Sequence, residues 1–216
     1  IAKFEGNKLP VSSFMEYKNG TFFQTPLEQS PISKQIPIWD KNNCIECARC
    51  SLVCPHAAIR PVLQNVQDAP EDYFKPALGN DDLRYAIMVN EKQCTGCEVC
   101  VSVCPGKGGN KALQMGTPAG EALYKKYFQM DNIKTMPINT VKGTQLNKPL
   151  FEYSKACAGC GETPYIKLLK LIISDKLVIA NATGFSSIFG GSFPYFPYKV
   201  SWTNSLFEDN AESALE

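Results

Sequence analysis

The sequence predicts an α+β chain, in which a small cysteine-rich domain is followed by the opening of an α/β domain. Three observations carry that expectation. A cysteine-dense stretch occurs twice, CIECARCSLVCP at 44–55 and CTGCEVCVSVCP at 94–105, so the chain contains an internal repeat. A helix-start signature at Thr163–Pro164 leads through an apolar-periodic stretch into LVIANA at 177–182, which reads as a helix running into a buried strand. A hydrophobic content of 44% with 20% charged residues is enough to build a core, which excludes wholesale disorder, collagen and coiled coil.

In chain order, residues 1–40 read as an extended connector. Gly6–Asn7, Pro10, Asn19–Gly20, Pro26, Pro31 and Pro37 punctuate it, leaving room for short strands around Thr21–Phe23 and Ile36–Trp39. Residues 41–118 form the cysteine-rich domain. Between its two repeats, DAPEDYFKPALGNDD at 68–82 has the composition of a surface loop. Residues 119–148 are polar with scattered apolar positions and read as a linker, with a short helix at Glu121–Met130. A new composition begins at residue 149 and runs to 216. There Thr163 is read as a cap, Pro164 as the first helical residue, and Tyr165–Ser174 as the body of the helix.

The charge balance is 22 Lys+Arg against 21 Asp+Glu, without the basic excess of a general nucleic-acid binder. The longest apolar run, around Leu168–Ile173, is far short of the ~20 residues that cross a bilayer. No secretory leader stands at the start. The chain begins with Ile1 and stops at Ala211–Glu216 in a helical pattern, and is therefore expected to be a segment of something longer.

Ten cysteines in 216 residues are the chemically informative feature. Each repeat is C-x₂-C-x₂-C-x₃-C-P. Three closely spaced thiolates wrap one cubane from a tight loop, and the fourth, followed by proline, leaves the loop and ligates the other cluster in two-cluster bacterial ferredoxins. On that rule Cys44, Cys47, Cys50 and Cys104 hold one [4Fe–4S] cluster, and Cys94, Cys97, Cys100 and Cys54 hold the other. The domain at 41–118 is thus expected to be bacterial two-cluster ferredoxin-like. Ala48, Leu52, Val53, Val99, Val101 and Val103 supply small apolar filling around the sulfurs. Zinc sites use sets of four ligands without this doubled pattern, and structural disulfides need oxidising surroundings.

Cys157 and Cys160 form a separate C-x₂-C, open to three readings: half of a metal site, a redox dithiol, or ligands completed elsewhere. The sole histidine, His56, either tunes a cluster or, as the default, is a surface or helix-start residue. Gly106–Lys107–Gly108–Gly109 lacks P-loop spacing and reads as a loop. Asp68, Glu71, Asp72, Asp81 and Asp82, offset mainly by Lys75, make the insert acidic; a solvated loop is the default, and steering of a basic redox partner the alternative. The aromatics of SIFGGSFPYFPYKVSW at 187–202 read as core or interface packing.

Taken together, LPVSSF at 9–14, NGTF at 19–22, both cluster loops, ACAGCGETPY at 156–165, IANATG at 179–184, SSIFG at 186–190 and NSLFEDNAE at 204–212 resemble pyruvate:ferredoxin (or flavodoxin) oxidoreductase over essentially the whole chain. The resemblance implies oxidative decarboxylation of pyruvate to acetyl-CoA on thiamine diphosphate with Mg²⁺. Electrons then pass through three [4Fe–4S] clusters to a ferredoxin or flavodoxin acceptor. It implies that residues 149–216 open the thiamine diphosphate domain, that Cys157 and Cys160 are two ligands of the cluster nearest thiamine, and that the enzyme is a homodimer. Remaining domains or subunits would be its partners, and its compartment the cytoplasm or a mitochondrion-related organelle. No residue here is expected to be a catalytic acid, base or nucleophile. Three departures stand out. Phe185 occupies the family's third cysteine position between NATG and SSI, a stretch before Trp202 is shortened, and the thiamine- and CoA-binding parts are absent from the sequence. The rival reading is a stand-alone two-cluster carrier or assembly subunit that has lost the thiamine chemistry.

Overall fold

The computed structural model describes residues 33–118, 131–133, 136–154, 156–190 and 201–205, with isolated positions at 8, 10, 12, 126, 127 and 215. The strand expected at Thr21–Phe23 lies outside the described residues, as do most of Glu121–Met130 and most of Ala211–Glu216.

Strand β1 (Ile36–Trp39) enters the first cysteine loop, which contains the single-turn helix α1 (Arg49–Leu52), and β2 (Ile59–Asn65) leaves it. After β3 (Lys75–Ala77), the ten-residue β4 (Asn80–Val89) enters the second loop with α2 (Val99–Ser102), and β5 (Leu113–Gly116) leaves it. Pairing crosses the repeats. β1 is antiparallel to β5, with Trp39 opposite Leu113, and β2 is antiparallel to β4, with Ile59 opposite Val89. Each strand entering one loop is therefore zipped to the strand leaving the other, so the two repeats share one core instead of building two. Ile59, Leu63, Tyr85, Ile87 and Leu113 form that core together with Cys50 and Cys100. Each such aliphatic or aromatic side chain contributes about 1.5–3 kcal/mol by burial.

The insert at 68–82 is more than the surface loop its composition suggests. β3 adds to β4 as a third strand, with a register shift between Pro76 and Ala77. Ala69, Phe74 and Ala77 are buried, and Phe74 meets Tyr127 edge-on at 5.0 Å. The acidic side chains at 68, 71, 72, 81 and 82 all remain exposed. They dominate the average composition and mask the inward positions between them.

Helix α3 (Val141–Gln145) is capped by Thr140, whose Oγ1 accepts the Gly143 N–H at 3.1 Å. Next comes α4 (Thr163–Ile173), where the N-cap is Glu162, one residue earlier than the sequence suggests. Pro164 sits in the first turn, where its missing N–H costs nothing, and Thr163 is completely buried. Beyond it, β6 (Val178–Ala182) pairs in parallel with β7 (Ser201–Ser205), and α5 (Phe185–Gly190) lies between them in sequence. Phe151, Ile166 and Phe189 form a separate small core with Trp202 against it. The expected buried strand is only half covered: Val178 is 63% exposed and the rest of β6 is half-buried. A parallel strand is buried when both faces are covered. Among the described residues this sheet has two strands, and nothing covers Val178.

Candidate iron–sulfur centres

The repeat is obeyed down to the backbone. Asp40 and Asn90 close equivalent turns into the loops, their Oδ1 atoms accepting the N–H two residues on, at 2.9 and 3.1 Å. In the first loop Glu46 and Ala48 take left-handed φ values of 58° and 55°; in the second, Gly96 and Glu98 take 67° and 63°. Left-handed residues at every second position bend each loop tightly, as the backbone must in the concave sites that hold anionic groups. Three of these four residues carry a side chain, at a cost of ~1–2 kcal/mol each that the surrounding contacts must offset.

Two small pockets result, one at each loop, their like size following from the repeat. The first is lined by Cys44, Cys47, Cys50 and Cys104, with Trp39, Tyr85, Ile87 and Leu113. The second is lined by Cys54, Cys94, Cys97 and Cys100, with Pro37, His56 and Ile59. The structure thus brings the eight repeat cysteines together as two groups of four, each drawn from both loops. The crossed strand pairing is the physical reason, because it carries the end of each loop to the start of the other.

The donor chemistry fits a cationic core within each ring. Burial pushes Cys94 up to about 11 and, with Cys54 adding to the effect, Cys100 up to about 12; Cys44 and Cys50 also rise through burial. Left alone, these four thiols are held in the neutral form. Four thiolates need positive charge among them, which soft, sulfide-bridged iron supplies. Among the described residues no three His, Cys, Asp or Glu side chains converge tightly enough for a single ion. Amide N–H groups already point at sulfur: Glu46 N lies 3.4 Å from Cys44 Sγ, and Ala112 N 3.3 Å from Cys104 Sγ.

Several working residues escape the motif. The Glu46 carboxylate, with 1% of its side chain exposed, lies 2.6 Å from Lys142 Nζ and 3.3 Å from Lys75 Nζ, and accepts the Leu78 N–H. Lys75 also donates to the Cys44 carbonyl at 2.7 Å. Lys75, read as an offset to a solvated loop, is instead tied to the first centre. On the other side Arg60 pairs with Glu152 and donates to the Ala57 carbonyl. Lys167, on α4, donates to the carbonyls of Ser51 and Cys54. The sequence signal for these was faint: a charged residue inside a cysteine loop, and a lysine at a buried helical position.

His56 is not the surface residue of the default reading. It is 4% exposed, its Nδ1 lies 3.0 Å from the Ser154 carbonyl oxygen, and its own carbonyl accepts the Tyr153 N–H. The turn after Cys54–Pro55 is covered by residues 153–154, a contact almost a hundred residues away in sequence that composition could not reveal. Lys107–Asn110 is the tight loop that its glycines suggest, closed by one bridge.

Cys157 is exposed and Cys160 half-buried, in a turn closed by the Cys160 N–H on the Cys157 carbonyl at 3.0 Å. Neither lines either cavity. Gly159 between them faces the second loop, where an added Cβ would lie 3.7 Å from Cys97 Cβ. Phe185 is 79% exposed at the start of α5.

Residues 43–107 match the family model described as a 4Fe-4S double cluster binding domain. Over 98% of its length the chain is 46% identical to the pyruvate:ferredoxin oxidoreductase of Moorella thermoacetica, and covers 20% of that protein. It is 42% identical to the pyruvate-flavodoxin oxidoreductase of Klebsiella pneumoniae over 97% of its length, covering 19% of that protein. With the pyruvate dehydrogenase [NADP(+)] of Cryptosporidium parvum the figures are 43%, 100% and 12%. The chain therefore spans about a fifth or less of the length of the relatives it matches. The 233-residue match to the Moorella protein is longer than the 216-residue chain, so that relative carries residues this chain lacks. Among the described residues no helix is long and apolar enough to cross a membrane. Over nearly its whole length the chain is thus similar to one stretch of the pyruvate:ferredoxin and pyruvate-flavodoxin oxidoreductases, and within it residues 43–107 match a double [4Fe–4S] cluster domain.

Proposed function

We propose that this chain is the electron relay of an enzyme that oxidatively decarboxylates pyruvate to acetyl-CoA. Cys44, Cys47, Cys50 and Cys104 hold one cluster, and Cys94, Cys97, Cys100 and Cys54 the other. The observation that carries this reading is the sorting of eight thiols into two rings, each closed by a cysteine from the opposite repeat. When bound, the clusters supply one-electron oxidation and reduction. The protein's part is to exclude water with Tyr85, Ile87 and Ile59, to aim amides at sulfur, and to hold lysines beside the rings.

In the same reading, residues 1–40 are a connector, 41–118 the two-cluster domain, 119–148 a linker and 149–216 the start of the thiamine diphosphate domain. Thiamine diphosphate and Mg²⁺ belong to the complete parent enzyme. Cys157 and Cys160 form a partial third site beside the second ring, with a phenyl group at Phe185 where a third thiolate is needed. The remaining domains are its first partners, a ferredoxin or flavodoxin its acceptor, and a homodimer its assembly. Its compartment is the cytoplasm or a mitochondrion-related organelle. Phe185, which cannot ligate iron, and the shortened stretch before Trp202 favour the rival reading of a two-cluster carrier without thiamine chemistry.

The test is iron analysis with EPR on the anaerobic protein. Two clusters require about eight irons per chain, and about twelve would show that a third cluster forms despite Phe185. Cys50→Ala and Cys104→Ala should abolish the same EPR signal, while Cys54→Ala and Cys97→Ala abolish the other. Loss of different signals within either pair would sink the ligand assignment.

A further inference from the structure

Lys167 lies on the inward face of α4 and is 2% exposed. Its ammonium donates to the carbonyls of Ser51 and of Cys54, the latter at 3.0 Å. Those carbonyls belong to the short stretch in which the chain passes from Cys50, on the first ring, to Cys54, on the second. A buried cation needs nearby negative charge to offset the loss of its hydration. Arg60, its cationic neighbour, has Glu152. Among the described residues no carboxylate pairs with Lys167, and both contacts named are neutral carbonyls. Two [4Fe–4S] centres, each with four thiolates, carry net negative charge, and this ammonium sits on the stretch that joins a ligand of one to a ligand of the other.

We propose that Lys167 is a positioning residue that sets the reduction potential of the centre closed by Cys54. It is a positive charge at pH below about 8, the value to which burial lowers its pKa, and it comes from the segment that follows the two-cluster domain. Reducing that centre adds one electron and makes it one unit more negative; no proton moves and Lys167 is not consumed. A positive charge in a dry, low-dielectric site stabilises the added electron, so the potential is raised by the docking of α4. By contrast, the charges at the first ring, Glu46, Lys75 and Lys142, come from the first cysteine loop itself, the insert and α3. The inference rests on the ligand assignment above, which the separate signals lost in Cys104→Ala and Cys97→Ala test independently.

The experiment is an EPR-monitored dithionite titration of the iron-loaded, full-length protein carrying Lys167→Gln or Lys167→Arg, with iron and sulfide counted in each. Lys167→Gln should lower the equilibrium constant for reducing the Cys54 centre about ten-fold, or 59 mV at one electron, and Lys167→Arg should restore it. An unchanged potential in Lys167→Gln overturns the proposal, as does an equal fall in both variants, which would point to geometry instead of charge. If Lys167→Gln fails to hold iron, Lys167→Met takes its place. Iron loss in both neutral variants beside a fully loaded Lys167→Arg would make Lys167 a structural anchor only, and would also overturn it.

Discussion

Glu46 shows how one residue serves both the fold and the site. Its backbone takes the left-handed turn that wraps the first ring, and its buried carboxylate gathers Lys75 and Lys142 from two other segments. Removing one member of a buried ionic group strands the others. Glu46→Ala should therefore cost about 3–5 kcal/mol in denaturant unfolding of the loaded protein. A cost below ~1 kcal/mol would mean that both lysines find water instead. Gly106 and Gly108 make a controlled pair, because both have φ of 61° but differ in surroundings. A Cβ on Gly106 would lie 1.7 Å from the Asn110 carbonyl oxygen, whereas one on Gly108 meets nothing within 4 Å. Gly108→Ala should cost only the ~1–2 kcal/mol of left-handed strain. Gly106→Ala, two residues after Cys104, should also deplete iron at the first centre. Equal iron content in the two variants would contradict this.

At the scale of elements, the crossed strands need staples to the segments outside the repeats. Asn132 is one. Its Oδ1 accepts the Leu63 N–H at 2.8 Å, and its Nδ2 donates to the carbonyls of Pro61 and Leu146, joining β2 to the end of α3. Asn132→Ala leaves these backbone groups without that partner, at about 1–3 kcal/mol for each group that stays buried. The expected outcome is faster hydrogen exchange at the Leu63 amide, with β1 and β5 unaffected. If exchange rises equally across both sheets, the staple acts on the whole domain. Gln145 makes a similar link from α3 to α1, its Oε1 accepting from Ser51 Oγ at 2.9 Å.

For the molecule as a whole, the two centres sit where the core would otherwise be thin. Cys50 and Cys100 belong to the same buried group as Ile59, Tyr85 and Leu113, so emptying the rings removes packing as well as ligands. Metal-site free energy is then folding free energy. Anaerobic chelation of iron should lower the thermal midpoint and expose the β1–β5 pair first, since those strands have four residues each. The group of Phe151, Ile166 and Phe189 should hold longer. Hydrogen exchange before and after chelation reads both; retention of β1–β5 protection in the apo protein would show that the fold stands without its clusters.

The sequence by itself determined the repeat, the two-cluster chemistry, the strand at Ile36–Trp39, the helix after Thr163 and the family resemblance. All of these are local patterns, in which spacing along the chain is the physical requirement. A cluster loop needs cysteines three residues apart, and a helix start needs its cap and proline adjacent. Tertiary structure alone decided that His56 is buried under Ser154, that the acidic insert contributes β3 and Phe74, that β6 is half open, and that Glu46 and Lys167 bring charge to the rings. Each of these depends on segments roughly thirty to over a hundred residues apart, or on neighbours that a strand does or does not acquire. Burial and electrostatics depend on distance in space, and distance along the chain does not report it.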